Sequence, residues 1–391
     1  MTEATEPTAE PKSTPVRKRR HIHEIDVIRI LTFASVIGVH TISHTVAADD
    51  VPLHVLLGLL HFTREPFFWI TGFVLMWSYF HKPVPMRKFW PRRFLLVGVP
   101  YLVWSLAYML IYDYPRTHHD PSVGGFVLDY VRVVLTGDAW YHLYFLLVTM
   151  QVYLLVPVIA WLVRRGLRAQ LTILGVAAVV QLALMSWYHY WPQVLPGFVH
   201  YDAQYFFSYS FFILAGAVCA DHGEGFLGWI ARNRGKVGLI TLACAVFYLI
   251  VFAVQHAAGA SLYSAGSPVQ PAIVVWGVGV GLGFTALGRI WSDRRREGSL
   301  LARSVDTATD RSFGIFLSHP LILWTLLWLG DGWFARTLPD PWRSLVAYVV
   351  VVLGAIGLTE LLRRSPASLW FTGRPRRRRP REAAPAAASS P

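Results

Sequence analysis

The sequence predicts an all-α polytopic membrane protein of about ten transmembrane helices, with both termini in the cytoplasm. Three observations lead there. The 391 residues are 54% hydrophobic and only 15% charged, and the mean hydropathy is +0.42, less charge than a soluble chain of this length carries. Apolar stretches of membrane-spanning length recur from end to end. Basic residues also alternate between successive loops. With the N-terminus inside, the inner segments hold 30 Lys or Arg and the outer loops hold four, which is the positive-inside pattern. The net charge of +13 therefore reflects orientation and attraction to anionic lipid headgroups. Placed this way, it argues against a nucleic-acid partner.

Residues 1–24 read as a disordered basic cytoplasmic tail with no secretory h-region, so the first span is expected to act as the targeting signal for the cell membrane. The ten spans fall at roughly 25–46, 54–80, 89–112, 140–163, 170–190, 203–220, 237–256, 270–291, 312–329 and 344–362. Together they form one membrane domain over 25–363, followed by a second disordered basic tail over 364–391. The longest outer loop, about 113–139, carries "YPRTHHDPSVGG" and is expected to cover the outer mouth. Trp140, Tyr141, Trp187, Tyr188, Tyr190 and Trp191 mark span edges as interfacial aromatics. Cys219 and Cys244 lie within apolar spans and read as buried thiols with no metal or redox role.

The first span contains "DVIRILTFASVIGVH". Arg29 and His40 are 11 residues apart, about 20° beyond three full helical turns, so they share a face at an axial separation of about 16 Å. Asp26, Ser43 and His44 share that face. A polar stripe on an apolar helix faces the bundle interior or a cavity. Arg29 alone could instead snorkel to the cytoplasmic edge or pair with Asp26, and His40 could be a satisfied packing histidine. In the second span, "HFTREPFFWITGFVL" places Arg64 and Glu65 well inside the apolar band, with Pro66 predicting a kink. Arg64 and Glu65 do not share a helix face, so separate partners are expected. Depths estimated from the helical rise let His40, His61, Arg64 and Glu65 share one cavity.

The third span opens with "KFWPRRFLLVGVPYLVW". Arg92 and Arg93 sit at its cytoplasmic rim, where basic anchoring and phosphate binding are both open. The fourth begins "WYHLYFLLVTMQVYLLVPVI", putting His142 and Tyr144 at the outer mouth. In the ninth, "SFGIFLSHPLILW", His319 follows the cytoplasmic start by seven residues, and Pro320 is expected to break or bend the helix. Two polar clusters result: Arg29, Arg92, Arg93 and His319 toward the cytoplasm, and His40, His61, Arg64, Glu65, His142 and Tyr144 toward the outside.

These motifs, in this order, resemble membrane acyltransferase family 3. The Arg–ten residues–His pattern of the first span is similar to that family's. "PFFWITGFVL" resembles its second-span "LFFxxSGFLL", with Thr71 in place of Ser. "PRRFLLVGVPYLVW", "HLYFLLVTMQVYLLVPVI" and "SFGIFLSHPLIL" are similar to its third-, fourth- and late-span signatures. The chain departs where many members have a further arginine at Leu96, and where many have Asp or Val at Glu65.

The resemblance implies transfer of an acyl group, most often acetyl, from cytoplasmic acyl-CoA to a hydroxyl of an exported or lipid-linked carbohydrate or other envelope acceptor. It implies essential roles for Arg29 and His40, and maps the family's third-span arginines onto Arg92 and Arg93. Beside it, residue chemistry makes His40 a general base or a transient acyl carrier, with Glu65 orienting His40 or His61. Arg29, Arg92, Arg93 and His319 would hold acetyl-CoA, and His61, Arg64, His142 and Tyr144 the acceptor; no metal is expected. The competing class is a transporter or flippase for a glycolipid or polysaccharide, since buried Arg, Glu and His also suit a carrier.

Overall fold

The computed structural model describes residues 21–81, 85–113 and 122–376, so most of each tail and the segment 114–121 lie outside the described residues. Among the described residues there are helices and no strand. The first span is α1, His23–Thr45. The second is broken: α2 (Val51–Leu60) passes through a tight 3₁₀ turn at His61–Thr63 into α3, Arg64–His81. The break thus precedes the proline. With α3 starting at Arg64, Pro66 falls in its first turn, where a missing N–H leaves no bond unmade.

α4 (Met86–Tyr108) runs on as a π turn, Met109–Asp113. α5 (Val123–Thr136) lies in the long loop; the Ser122 side chain caps its start and Gly137, at φ 76°, ends it. α6 (Tyr144–Val163) and α7 (Leu167–Tyr190) follow. After the one-turn α8 (Pro196–Val199), short 3₁₀ turns lead into α9, Ser210–Asp221. α10 (Gly223–Arg232) precedes α11, Arg234–Ala257. α12 (Leu262–Ala265) precedes α13, Ala272–Arg294. α14 (Leu300–Thr337) and α15 (Trp342–Arg364) pack side by side, and α16 (Ser368–Thr372) closes the described chain.

Eight of these helices are long and apolar enough to cross a membrane: α1, α4 with its π turn, α6, α7, α11, α13, α14 and α15. The segments expected as the other two spans hold the α2–α3 pair and the shorter apolar stretch Phe206–Asp221, which are not among those eight. α1 is central, packing on α13, α14 and α15.

The closest helix pair is α3 with α9. A Cβ on Gly72 would lie 2.1 Å from the Ile213 carbonyl oxygen, and one on Gly216 would lie 2.0 Å from that of Trp69. Small residues let two backbones touch where lipid offers no hydrophobic drive to association. Because the obstacle is backbone, Gly216→Ala is expected to exceed the usual overpacking cost of about 1–3 kcal/mol. A thermal melt of the detergent-solubilised protein superimposing on wild type would refute this.

Ion pairs gather one end of the bundle. Arg289 binds Glu24 at 3.0 Å and Asp293 at 2.9 Å, and Arg295 binds Asp306 at 2.8 Å. Arg311 binds Glu360 at 2.8 Å, Arg363 binds Asp310 at 2.6 Å, and Arg234 pairs with Asp293. These pairs bring the starts of α1, α11 and α14 together with the ends of α13 and α15. Both ends of the described chain lie here, among the loops that basic-residue counting assigned to one side. Residues 365–376, expected in the disordered tail, are folded. Phe371 packs on the core, its carbonyl accepts the Trp104 indole N–H at 2.9 Å, and the Arg374 carbonyl accepts the Ser368 hydroxyl at 2.8 Å. Ser368, Phe371 and Thr372 supply the buried contacts, while Trp370 stays exposed, and a composition average over the flanking arginines hides this.

Candidate functional site

A cavity of about 710 Å³ opens near the ion-paired end. Arg29 of α1, Arg92 and Arg93 of α4, and Arg374 just beyond α16 all line it, and among the described residues no Asp or Glu does. Asp26 lies within electrostatic reach of Arg29 but forms no ion pair with it among the described residues, and its carboxylate accepts from His21 Nε2 at 2.6 Å. Arg93 lies over the rings of Phe89 and Tyr153, 5.4 and 5.9 Å from their centroids. Arg374 is tethered loosely to Asp310, 3.8 Å away. Thr32, Thr149 and Ser312 add hydroxyls, and the remaining wall is largely apolar, with Phe33, Phe67 and Ile70 among its members. Four guanidiniums around an otherwise apolar recess suit a polyanion carrying a slender apolar arm. Sequence reasoning found three of the four. Arg374 was missed because it was read as one more basic residue of a solvated tail.

Farther along α1, three imidazoles meet. The His40 and His319 rings stack with centroids 5.5 Å apart, and His142 meets His319 edge-on at 5.4 Å. Tyr141 lies 4.4 Å from His40 and 5.7 Å from His44. His319 was expected beside the arginines, and the structure puts it with His40 and His142 instead. The reason is helix length. α14 begins at Leu300, twelve residues before the expected start, so His319 stands 19 residues along it, about 28 Å by the helical rise. Nor does Pro320 break α14, which continues through it.

Between the arginines and the imidazoles lies a wall of phenylalanines from four helices. Phe33 and Phe67, which line the arginine cavity, contact Phe316 at 5.2 and 6.5 Å, and Phe67 contacts Phe145 at 5.1 Å. Phe316 in turn touches His142 at 5.2 Å and His319 at 5.9 Å.

The remaining candidates form a third group. The His61 ring pairs through Nδ1 with the Gly266 carbonyl at 2.6 Å, and Arg64 donates to the Pro268 carbonyl. Arg64 also lies 5.7 Å from the Tyr209 ring centroid and within electrostatic reach of Tyr144, Glu65 and Asp202. Burial pushes the Asp202 carboxyl, in the turn before α9, above its ordinary range against the pull of Arg64. Glu65 is fully buried, and among the described residues neither carboxylate oxygen has a hydrogen-bond partner. It packs where a Cβ on Gly277 of α13 would come within 2.7 Å of its own Cβ. The expected orienting bond from Glu65 to His40 or His61 is therefore absent. His61 is held by a backbone carbonyl instead.

A second cavity, of about 400 Å³, lies on the far side of the imidazoles. Four aromatic side chains line it (Tyr112, Trp140, Tyr141 and Trp324), together with Asp138, His44 and Pro320. It shares no lining residue with the arginine cavity. Trp140 and Tyr141 had been read as interfacial anchors, and Asp138 and Trp324 gave no signal in the sequence.

No curated protein and no solved structure matches the chain. The acyltransferase domain characteristic of acyltransferase family 3 matches residues 22–360, which include the three imidazoles, three of the four cavity arginines and the wall between them. The chain is thus a multi-pass membrane acyltransferase and belongs to acyltransferase family 3.

Proposed function

We propose that the protein transfers an acyl group, most simply acetyl, from acyl-CoA to a hydroxyl of an exported or lipid-linked carbohydrate or other envelope acceptor at the cell membrane. The observation that carries this reading is the pair of cavities at opposite ends of the bundle, with three imidazoles and a phenylalanine wall between them. The ion-paired end is taken as cytoplasmic, in line with the distribution of basic loops. Donor phosphates bind Arg29, Arg92, Arg93 and Arg374, and the pantetheine arm lies along the apolar wall toward Phe33. The span from Arg29 to His40, about 16 Å by the helical rise, is of the order such an arm bridges.

At the far end the thioester meets neutral imidazole, which can take the hydroxyl proton or carry the acyl group. His40 is the member of the cluster we assign to that chemistry. The acceptor enters through the aromatic cavity, whose size falls in the ordinary range for ligand sites. Aromatic faces beside one carboxylate suit a ring with apolar C–H faces and hydroxyl edges.

Reconstituted protein given radiolabelled acetyl-CoA is expected to transfer label to the acceptor fraction. Transfer from no acyl-CoA at all would end the donor assignment. Trp324→Ala is expected to raise the acceptor KM about tenfold while leaving the donor KM unchanged. An unchanged acceptor KM would move the acceptor elsewhere.

A further inference from the structure

One proline in the imidazole cluster leaves a mark on the chemistry beside it. Pro320 has no N–H, so the carbonyl four residues earlier, that of Phe316, loses its helical partner. In the apolar interior an unpaired carbonyl is costly, and α14 does not unwind to satisfy it. The adjacent side chain fills the gap: His319 Nδ1 lies 2.7 Å from the Phe316 oxygen. A carbonyl can only accept, so Nδ1 must carry the proton. A neutral imidazole has one N–H, and the lone pair is therefore left on Nε2. That nitrogen is buried and, among the described residues, has no hydrogen-bond partner. Its ring faces His40 and His142 at 5.5 and 5.4 Å. The near-parallel stacking on His40, at 26°, does not favour an N–H···N bond between those two rings.

We infer that Pro320 is a positioning residue that fixes the tautomer of His319, and that Nε2 of His319 is the proton acceptor in acyl transfer. The inference rests on the proposed acyl-CoA reading for its chemical step, but not for the tautomer. In that step the acceptor oxygen bonds to the acyl carbon as the carbon–sulfur bond breaks. The hydroxyl proton goes to His319 Nε2 and then to the departing thiolate, so charge and protons balance. The proton-taking role thereby passes from His40 to His319, and His40, stacked beside it, orients the acyl group in this direct step. It also moves His319 from the donor-binding role that its sequence position suggested to the reacting end of the site.

The test has two arms on the full-length reconstituted protein. In the first, histidines are labelled with ¹⁵N and the His319 signals are identified by their loss in His319→Gln. Wild type is expected to show a protonated Nδ1 and a bare Nε2. In Pro320→Ala the restored N–H competes for the Phe316 carbonyl, and this preference is expected to fall about fivefold, the equilibrium constant of one net hydrogen bond. A protonated Nε2 in wild type would overturn the proposal without any donor present. In the second arm, label transfer from acetyl-CoA to the membrane fraction is measured. His319→Gln is expected to lose about a hundredfold or more in kcat with the donor KM unchanged. Pro320→Ala is expected to lose about fivefold in kcat, again at constant KM. A wild-type kcat in His319→Gln would sink the base assignment. If Pro320→Ala does not fold, the wild-type tautomer and the glutamine variant decide. A failure of the acyl-CoA reading would show as no wild-type transfer, leaving the spectroscopic result intact.

Discussion

Membranes carrying His40→Ala are expected to transfer label from acetyl-CoA about 10²–10⁴ times more slowly than wild type, the usual contribution of a positioned acid–base or nucleophilic group. The loss should fall on kcat. His40 lies beyond the phenylalanine wall from the arginine cavity and lines none of it, so donor affinity has no reason to change. The variant should also insert normally, because His40 is half-buried among rings and donates none of the bonds that tie α1 to its neighbours. A quench during turnover, followed by mass analysis of the peptide containing residue 40, separates two roles. An acyl adduct there marks a covalent carrier, and its absence with full dependence on His40 marks direct transfer. Undiminished transfer in the alanine variant would remove this residue from the chemistry.

The second large effect belongs to the other end. Arg92→Ala with Arg93→Ala removes two of the four cations that line the cavity among the described residues, where no carboxylate does. Charge-assisted hydrogen bonds are worth about 1.5–3 kcal/mol each, so losing two should raise the donor KM by about a hundredfold or more while kcat at saturation stays near wild type. Both side chains sit at the open end of α4, away from the glycine contacts that join α3 to α9, so the fold should persist. A donor KM unchanged in the double variant would return the pair to the alternative of membrane anchoring. Together the two variants are expected to divide the molecule, one changing turnover and the other donor capture.

The all-helical class was legible because hydropathy and loop charge report the membrane directly, and the phase of Arg29 and His40 was legible because eleven residues close on three turns. Other features depended on contacts that no local pattern records. α14 starts with the polar stretch "LLARSVDTATD", which reads as a loop, and that error carried His319 to the wrong end. The fold of residues 365–376 depends on their packing against α4, which lies some 270 residues earlier. Glu65 looked like a partner for histidine, yet the histidine nearby took a backbone carbonyl. The aromatic cavity combines α14 with the segment before α6, and in sequence its tryptophans are indistinguishable from interfacial anchors. The carrier alternative was reasonable on buried charge alone. Membership of an acyltransferase family replaces it.

The wall of Phe33, Phe67, Phe145 and Phe316 has a further consequence. Two recesses that approach each other from opposite ends of the bundle leave only a thin partition of rings between them. In any membrane that holds an ion gradient, protons and small ions would leak through a polar partition. Benzene rings packed against one another insulate. On the acyl-CoA reading proposed above, the donor's arm would have to part the rings briefly and fill the gap itself, as a slender acyl chain can do and a hydrated ion cannot.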